Sequence, residues 1–121
     1  MLIQTIKNIP RRAVRAFGYS WDGLKSATVK EEAFRLEIMA LAVLVLVLFL
    51  APWPAWKKWA LVAVYLLIPL TELLNSAIED LSDLISKDFN PLIKSAKDKG
   101  SAAVLAAIFV SLAALMALIL I

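Results

Sequence analysis

The 121-residue sequence contains no cysteine and no histidine. These two absences exclude disulfide staples, thiol nucleophiles, imidazole general bases and the common zinc sites. Glycine is scarce as well. With Gly18, Gly23 and Gly100 as the only three, neither a G-x-x-x-x-G-K-[ST] loop nor a G-x-G-x-x-G turn can be assembled, so a nucleotide would have to be held on helices. Charge is thin too: ten acidic and thirteen basic residues stand against a composition that is 62% hydrophobic, above the apolar share of an ordinary soluble domain. The basic N-terminal stretch IKNIPRRAVRAFGYSW has no apolar core ahead of a small-residue cleavage site. It is not read as a secretory signal, and the mature chain is expected to begin near Met1. No repeat or low-complexity tract occurs. Any chemistry must come from carboxylates, Lys, Arg, Asn and hydroxyls.

What the chain does have is long apolar runs. Three uncharged stretches cover 38–56, 59–71 and 101–121. A membrane span takes about 20 residues at about 1.5 Å each, so the middle stretch suffices only if its helix continues through Glu72 toward Leu84. APWPAW (51–56) and SKDFNP (86–91) supply the turns. The expected fold is therefore an all-α membrane protein of one domain. It has an N-terminal amphipathic surface helix (1–28) and three transmembrane helices, at 31–51, at 55–85 with a cytoplasmic extension, and at 91–121. In the first helix Val14, Phe17, Trp21 and Leu24 recur at helical spacing, with Arg11, Arg12, Arg15 and Asp22 turned away. That pattern suits a helix lying on a membrane surface, packing on other protein being the alternative.

Orientation follows from the basic residues. Seven precede the first span (Lys7, Arg11, Arg12, Arg15, Lys25, Lys30, Arg35) and four lie in or after the second turn (Lys87, Lys94, Lys97, Lys99), whereas only Lys57 and Lys58 separate spans one and two. The positive-inside rule puts the N-terminus and the 86–100 segment in the cytoplasm, and Trp53, Trp56 and Trp59 in an outer aromatic belt.

Into the tail of the second run the sequence places TELLNSAIED (71–80). At about 100° per residue, Glu72, Asn75, Ser76, Glu79 and Asp83 fall within roughly 100° of arc, one polar stripe on an apolar helix. Counted from Trp59, Glu72 lies about 20 Å along the axis and Glu79 about 30 Å, so Glu72 sits near the inner headgroup boundary and Glu79 at the water's edge. A carboxylate at the depth of Glu72 is costly without a function, whereas Asp80 reads as plain helix-end charge. Two other clusters lie at the same depth: Glu31 and Arg35 in KEEAFRLE, and Lys94, Lys97, Asp98 and Ser101 on one face of the third helix. Each alone is explicable as helix-end charge. Together, carboxylates, an asparagine and lysines make a kit for phosphate and a divalent cation.

AFGYSWDGLKSA, KEEAFRLE, TELLNSAIED and SAKDKGSAAV, in that order and with three spans, resemble the bacterial integral-membrane diacylglycerol kinase family over nearly the whole chain. KGSAAV and GYSW resemble its diacylglycerol branch more closely than the sister branch that phosphorylates undecaprenol. The resemblance implies ATP-dependent phosphorylation of 1,2-diacylglycerol to phosphatidic acid. It implies a homotrimer with shared active sites in the bacterial cytoplasmic (inner) membrane, with its active site cytoplasmic and its C-terminus outside, and no nucleic-acid partner. By the same resemblance Glu72 is the general base, and Glu31 and Glu79 hold Mg²⁺. ATP is contacted by Arg12, Tyr19, Glu31, Asn75, Glu79, Asp88, Phe89, Asn90, Lys97 and Asp98. The lipid site takes Arg12, Ala16, Phe17, Gly18, Tyr19, Ser20, Trp21, Ala33, Phe34, Arg35, Leu36, Glu37, Glu72 and Ser101. At Asp88 and Phe89 the sequence departs from the family pattern, which has a longer acid and a tyrosine there. Pro69, one turn before Glu72, frees a backbone carbonyl and kinks the helix. Three spans are too few to enclose a lipid and a nucleotide, and Ser101, Ala102, Ala106 and Ala113 offer a small-residue packing face for an oligomer. A small cation-coupled transporter would also want buried carboxylates, but its polar residues should continue outward, and above Glu72 the second span is apolar except for Tyr65. A membrane scaffold would need no convergent charge.

Overall fold

The computed structural model describes residues 2–121, with side chains described over 11–121. Met1 and the side chain of Lys7, which entered the topology count, lie outside the described residues. Five helices follow one another: α1 Leu2–Lys30, α2 Glu32–Leu50, α3 Ala55–Tyr65, α4 Leu67–Ile85 and α5 Pro91–Leu120. There is no strand among the described residues. The chain divides into two units, Met1–Glu32 and Ala33–Ile121.

The first unit is essentially α1, and its stripe is the one expected. Val14, Phe17 and Trp21 are all more than half exposed, an apolar row that water would penalise and a lipid interface would accept. Glu31 follows α1, its backbone N–H donating to the Ala27 carbonyl at 2.9 Å.

Among the described residues three stretches are long and apolar enough to cross a membrane: Glu32–Leu50 with 19 residues, Ala55–Ile85 with 31 and Pro91–Leu120 with 30. α5 packs along α4 and α3. Leu48, Leu61 and Leu118 form the buried cluster where α2, α3 and α5 meet, with Leu44, Trp53 and Leu115 against it. Elsewhere the large apolar side chains point outward, Phe49 at 79% and Leu120 at 81% exposure among them. A soluble domain does not expose such a surface, whereas a lipid-facing helix must.

The Ala55–Ile85 stretch runs through Glu72, as the span arithmetic required, but it is interrupted at Leu66. Pro69 has no N–H to offer the Tyr65 carbonyl, so the ladder fails one turn upstream. The opening is stitched from the side. Ser111 of α5 donates its hydroxyl to the Val64 carbonyl at 3.3 Å, and Tyr65 donates its hydroxyl to the Glu37 carbonyl of α2 at 2.9 Å. At about 1.5 Å per residue the 31-residue stretch is about 46 Å long, roughly 16 Å more than hydrocarbon needs, so one end projects beyond the apolar layer.

The two lysines between spans one and two cap helix ends. Lys57 Nζ donates to the Leu118 carbonyl near the end of α5 at 3.0 Å, and lies 5.7 Å from the ring centroids of both Trp53 and Trp56. Lys58 Nζ donates to the Phe49 carbonyl of α2 at 3.5 Å. Both meet the negative ends of helix dipoles.

Candidate active site

α4 turns part of its polar stripe inward: Glu72 and Asn75 are buried together with Ile68, Pro69 and Ser82, whereas Leu70, Leu74, Leu81, Leu84 and Ile85 are exposed. The stripe does not face water uniformly. Glu72 and Asn75 are each 8% exposed and Ser82 is buried, whereas Glu79, Asp80 and Asp83 are exposed. The two carboxylates differ in packing: the one at 72 is enclosed and the one at 79 is open.

Glu72 stands close enough to Glu37 of α2 for their charges to repel. Two carboxyls from different helices are thus brought together at one level, and Oε2 of Glu37 is buried without a hydrogen-bond partner. One turn further along α4, Asn75 Nδ2 donates to Glu79 Oε1 at 3.1 Å. That bond settles which way the amide points, since a carboxylate can only accept. Asn75 Oδ1 is then buried with no partner, against Gly100 of α5.

On the α5 side Lys97 Nζ pairs with Asp83 Oδ1 at 2.6 Å, with Glu79 near enough to add to the attraction. Lys94 pairs with Asp98 one turn on, at 2.5 Å. Both ion pairs lie at the surface, where such pairs contribute little to stability and exchange readily for another anion. The structure therefore brings Asn75, Glu79, Asp83 and Lys97 together and sets Glu37 beside Glu72. Ser101 is exposed on α5, one residue past Gly100.

The turn between α4 and α5 is built locally. Asn90 Oδ1 accepts from the backbone N–H groups of Leu92 at 2.8 Å and Ile93 at 3.4 Å, with Pro91 at the first helical position. Its oxygen is thus used as an N-cap. Asp88 N–H donates to Ser86 Oγ at 3.1 Å, and Phe89 is 82% exposed. Of the residues assigned to the lipid, Phe34 is buried, whereas Ala33, Arg35 and Leu36 are exposed on α2. Arg12, Ala16, Phe17, Gly18, Tyr19, Ser20, Trp21 and Glu31 belong to the other unit; all but Glu31 lie on exposed positions of α1, with Ser20 Oγ bonded back to the Ala16 carbonyl at 3.0 Å.

Sequence reasoning put Asp83 in the stripe without a role and passed over Gly100. A signal for Gly100 existed, because a glycine inside an apolar helical run costs stability and so asks for a packing reason. The partner of Asp83 had no such signal, since Lys97 lies across a turn on another helix.

Among the described residues no three carboxylates gather around one point that could hold a metal ion. A cation of the Mg²⁺ class needs no such cage, because it commonly takes one or two carboxylates and fills its shell with phosphate oxygens and water. Glu79 suits that mode: it is exposed, and one oxygen is oriented by Asn75 while the other is left for a further partner.

The profile of the family described as Prokaryotic diacylglycerol kinase matches residues 18–120. A diacylglycerol kinase of Escherichia coli (strain K12) is 41% identical over 100 residues, covering 83% of this chain and 82% of that protein. One from Pseudomonas aeruginosa is 43% identical over 93 residues, covering 77% and 76%, and one from Helicobacter pylori is 42% identical over 95 residues, covering 77% and 73%.

Proposed function

Because the chain belongs to the prokaryotic diacylglycerol kinase family, it is a lipid kinase acting on diacylglycerol, and we propose that it moves the γ-phosphoryl group of ATP directly to the lipid hydroxyl with Glu72 as base. The observation that carries this reading is the split of one helical stripe into an enclosed carboxylate at Glu72 and an open, amide-oriented one at Glu79. A diacylglycerol hydroxyl resides at the headgroup boundary and ATP in water, so each reactant meets the carboxylate suited to it.

In the proposed reaction Glu72 accepts the hydroxyl proton while the lipid oxygen bonds to the γ-phosphorus. The bond from that phosphorus to the β–γ bridging oxygen breaks, ADP leaves, and the Glu72 proton returns to solvent. Glu72 is enclosed by its neighbours, which keeps bulk water from competing for the proton it takes. Mg²⁺, when bound, supplies charge neutralisation on the phosphates. Glu79 and Glu31 are the proposed ligands, Lys97 the cation on the phosphates once Asp83 gives it up, and Asp98, Asn75, Asp88, Phe89, Asn90, Arg12 and Tyr19 the other nucleotide contacts. Glu72 and Glu79 are about 10 Å apart along the axis, so the γ-phosphate bridges them at the level of Asn75 and Ser76.

The proposed lipid site takes residues 16–21, 33–37 and Ser101, completed by neighbouring subunits of a homotrimer. The assembly lies in the bacterial inner membrane with its N-terminus and site in the cytoplasm. The test is transfer of radiolabelled phosphate from ATP by the purified chain, comparing diacylglycerol with undecaprenol. Labelled phosphatidic acid in a Mg²⁺-dependent reaction is expected. Labelling of undecaprenol alone, or of neither lipid, would overturn the assignment.

A further inference from the structure

Gly100 lies buried on the face of α5 that meets α4. A methyl group built there would strike Asn75 Oδ1, and it would also come within 3.3 Å of Asn75 Cγ and 3.5 Å of Ile78 Cδ1. Asn75 Oδ1 is, like Glu37 Oε2, a buried acceptor without a hydrogen-bond partner. The two facts explain each other. The oxygen rests against the bare Cα of Gly100, where a weak Cα–H···O contact is the available compensation. Gly18 and Gly23 show nothing comparable, since a methyl on either would meet no atom within 4 Å.

We propose that Gly100 is a positioning residue for the phosphoryl-transfer site, acting through Asn75 to hold the Glu79 carboxylate in its working orientation. The inference rests on the reading of Glu79 as a ligand for the metal–nucleotide complex. Its logic is steric. Asn75 has a short side chain enclosed between two helices, with its nitrogen bound to Glu79 and its oxygen against Gly100. A half-turn about the terminal torsion exchanges the oxygen for the nitrogen without clearing the methyl, and presents an oxygen to the Glu79 carboxylate. Turning about the Cα–Cβ bond clears the methyl but withdraws the amide from Glu79. Parting the helices clears it too, and moves Lys97, three residues before Gly100, away from Asp83 and Glu79. Every accommodation of one methyl therefore disturbs the same carboxylate.

The prediction has an unusual sign. Glycine to alanine inside a helix ordinarily stabilises, whereas Gly100→Ala is expected to lower the Tm. The experiment is a cycle of four full-length proteins (wild type, Gly100→Ala, Asn75→Ala and the double variant) plus Glu79→Gln, all purified in detergent. Two quantities are measured: Tm without metal, and affinity for Mn²⁺ in the presence of a non-hydrolysable ATP analogue, followed by the Mn²⁺ electron paramagnetic resonance signal. Gly100→Ala should lower the Tm and weaken Mn²⁺ binding about 10- to 100-fold, the usual cost of losing a group that orients a metal ligand. In the Asn75→Ala background, where the carboxamide is gone and the methyl has room, Gly100→Ala should leave the Tm unchanged or raised and cause no further loss of Mn²⁺ affinity. A fall in Tm of equal size in both backgrounds would overturn the proposal, because Gly100 would then serve helix packing alone. Weakened Mn²⁺ binding in Glu79→Gln with native binding in Gly100→Ala would overturn the positioning role and leave the ligand reading standing. Native binding in Glu79→Gln would remove the ligand reading, and the proposal with it.

Discussion

Replacing Glu72 by Gln changes one atom of consequence. The side chain keeps its length, its helix propensity and an acceptor oxygen, but no longer takes a proton. Removing a general base costs about 10² to 10⁴ in rate, which at about 1.36 kcal/mol per decade is about 3 to 5.5 kcal/mol on the barrier. The structure separates this loss from any loss of binding. Asn75, Glu79 and Lys97 contact one another or Asp83, and Glu79 lies about 10 Å along the axis from residue 72, so nucleotide affinity should stay native. Stability should rise. Glu72 is 8% exposed and faces the like charge of Glu37, and the amide relieves both the burial of charge and the repulsion. The assay is threefold on one purified variant: phosphate transfer to diacylglycerol, ATP-analogue affinity, and Tm. A stable, nucleotide-binding and inactive protein is the expected result. Turnover within a few-fold of wild type would refute the reasoning, since a carboxylate placed there for packing alone should be improved by the change.

Glu31→Gln and Glu79→Gln should each raise the Mg²⁺ concentration needed for half-maximal rate, because a carboxamide is a poorer ligand for a hard cation; an unchanged Mg²⁺ titration in both would exclude them as ligands. A reporter fused after Ile121 should lie outside the cytoplasm, as three spans from an inside N-terminus require, and cytoplasmic reporter activity would remove the assignment of both charged segments to one side. Lys57→Met keeps the apolar stem and deletes the donor to Leu118 and the cation between Trp53 and Trp56. It should cost about 2 kcal/mol of stability in a detergent unfolding titration while leaving the specific activity of the folded fraction unchanged. A loss below about 0.5 kcal/mol would mean the lysine is no cap.

Much of the architecture was legible in the one-dimensional pattern. Uncharged runs of span length, a 3.6-residue stripe at 71–83 and an amphipathic row at 14–24 are properties of local spacing, and local spacing is enough to define a helix and its faces. The continuation of the second span through Glu72 followed from arithmetic, because 13 uncharged residues from Trp59 to Thr71 cannot cross about 30 Å of hydrocarbon. The ordered motifs carried the family, and with it the expectation of Glu72, Glu79, Lys97 and Asp98 as site residues. Asn90 was legible only by half: it was read as a nucleotide contact, while its position before Pro91 also spelled the N-cap it forms.

What periodicity cannot supply is azimuth and axial offset between helices, which are set by the packing of side chains dozens of residues apart. Only the tertiary structure therefore decided that Asn75 faces Gly100 across α4 and α5, that Lys97 is held by Asp83, and that Glu37 stands beside Glu72. The break at Leu66 divides the same way: Pro69 made it necessary, since a proline offers no N–H wherever it is placed. Its repair by Ser111, 47 residues away, depended on how α5 lies against α3. Lys57 and Lys58 show it again. In the sequence they are two charges on the wrong side of the positive-inside count, and in the fold they close the carbonyl ends of α5 and α2, because helix ends distant in the chain arrive at one level of the membrane.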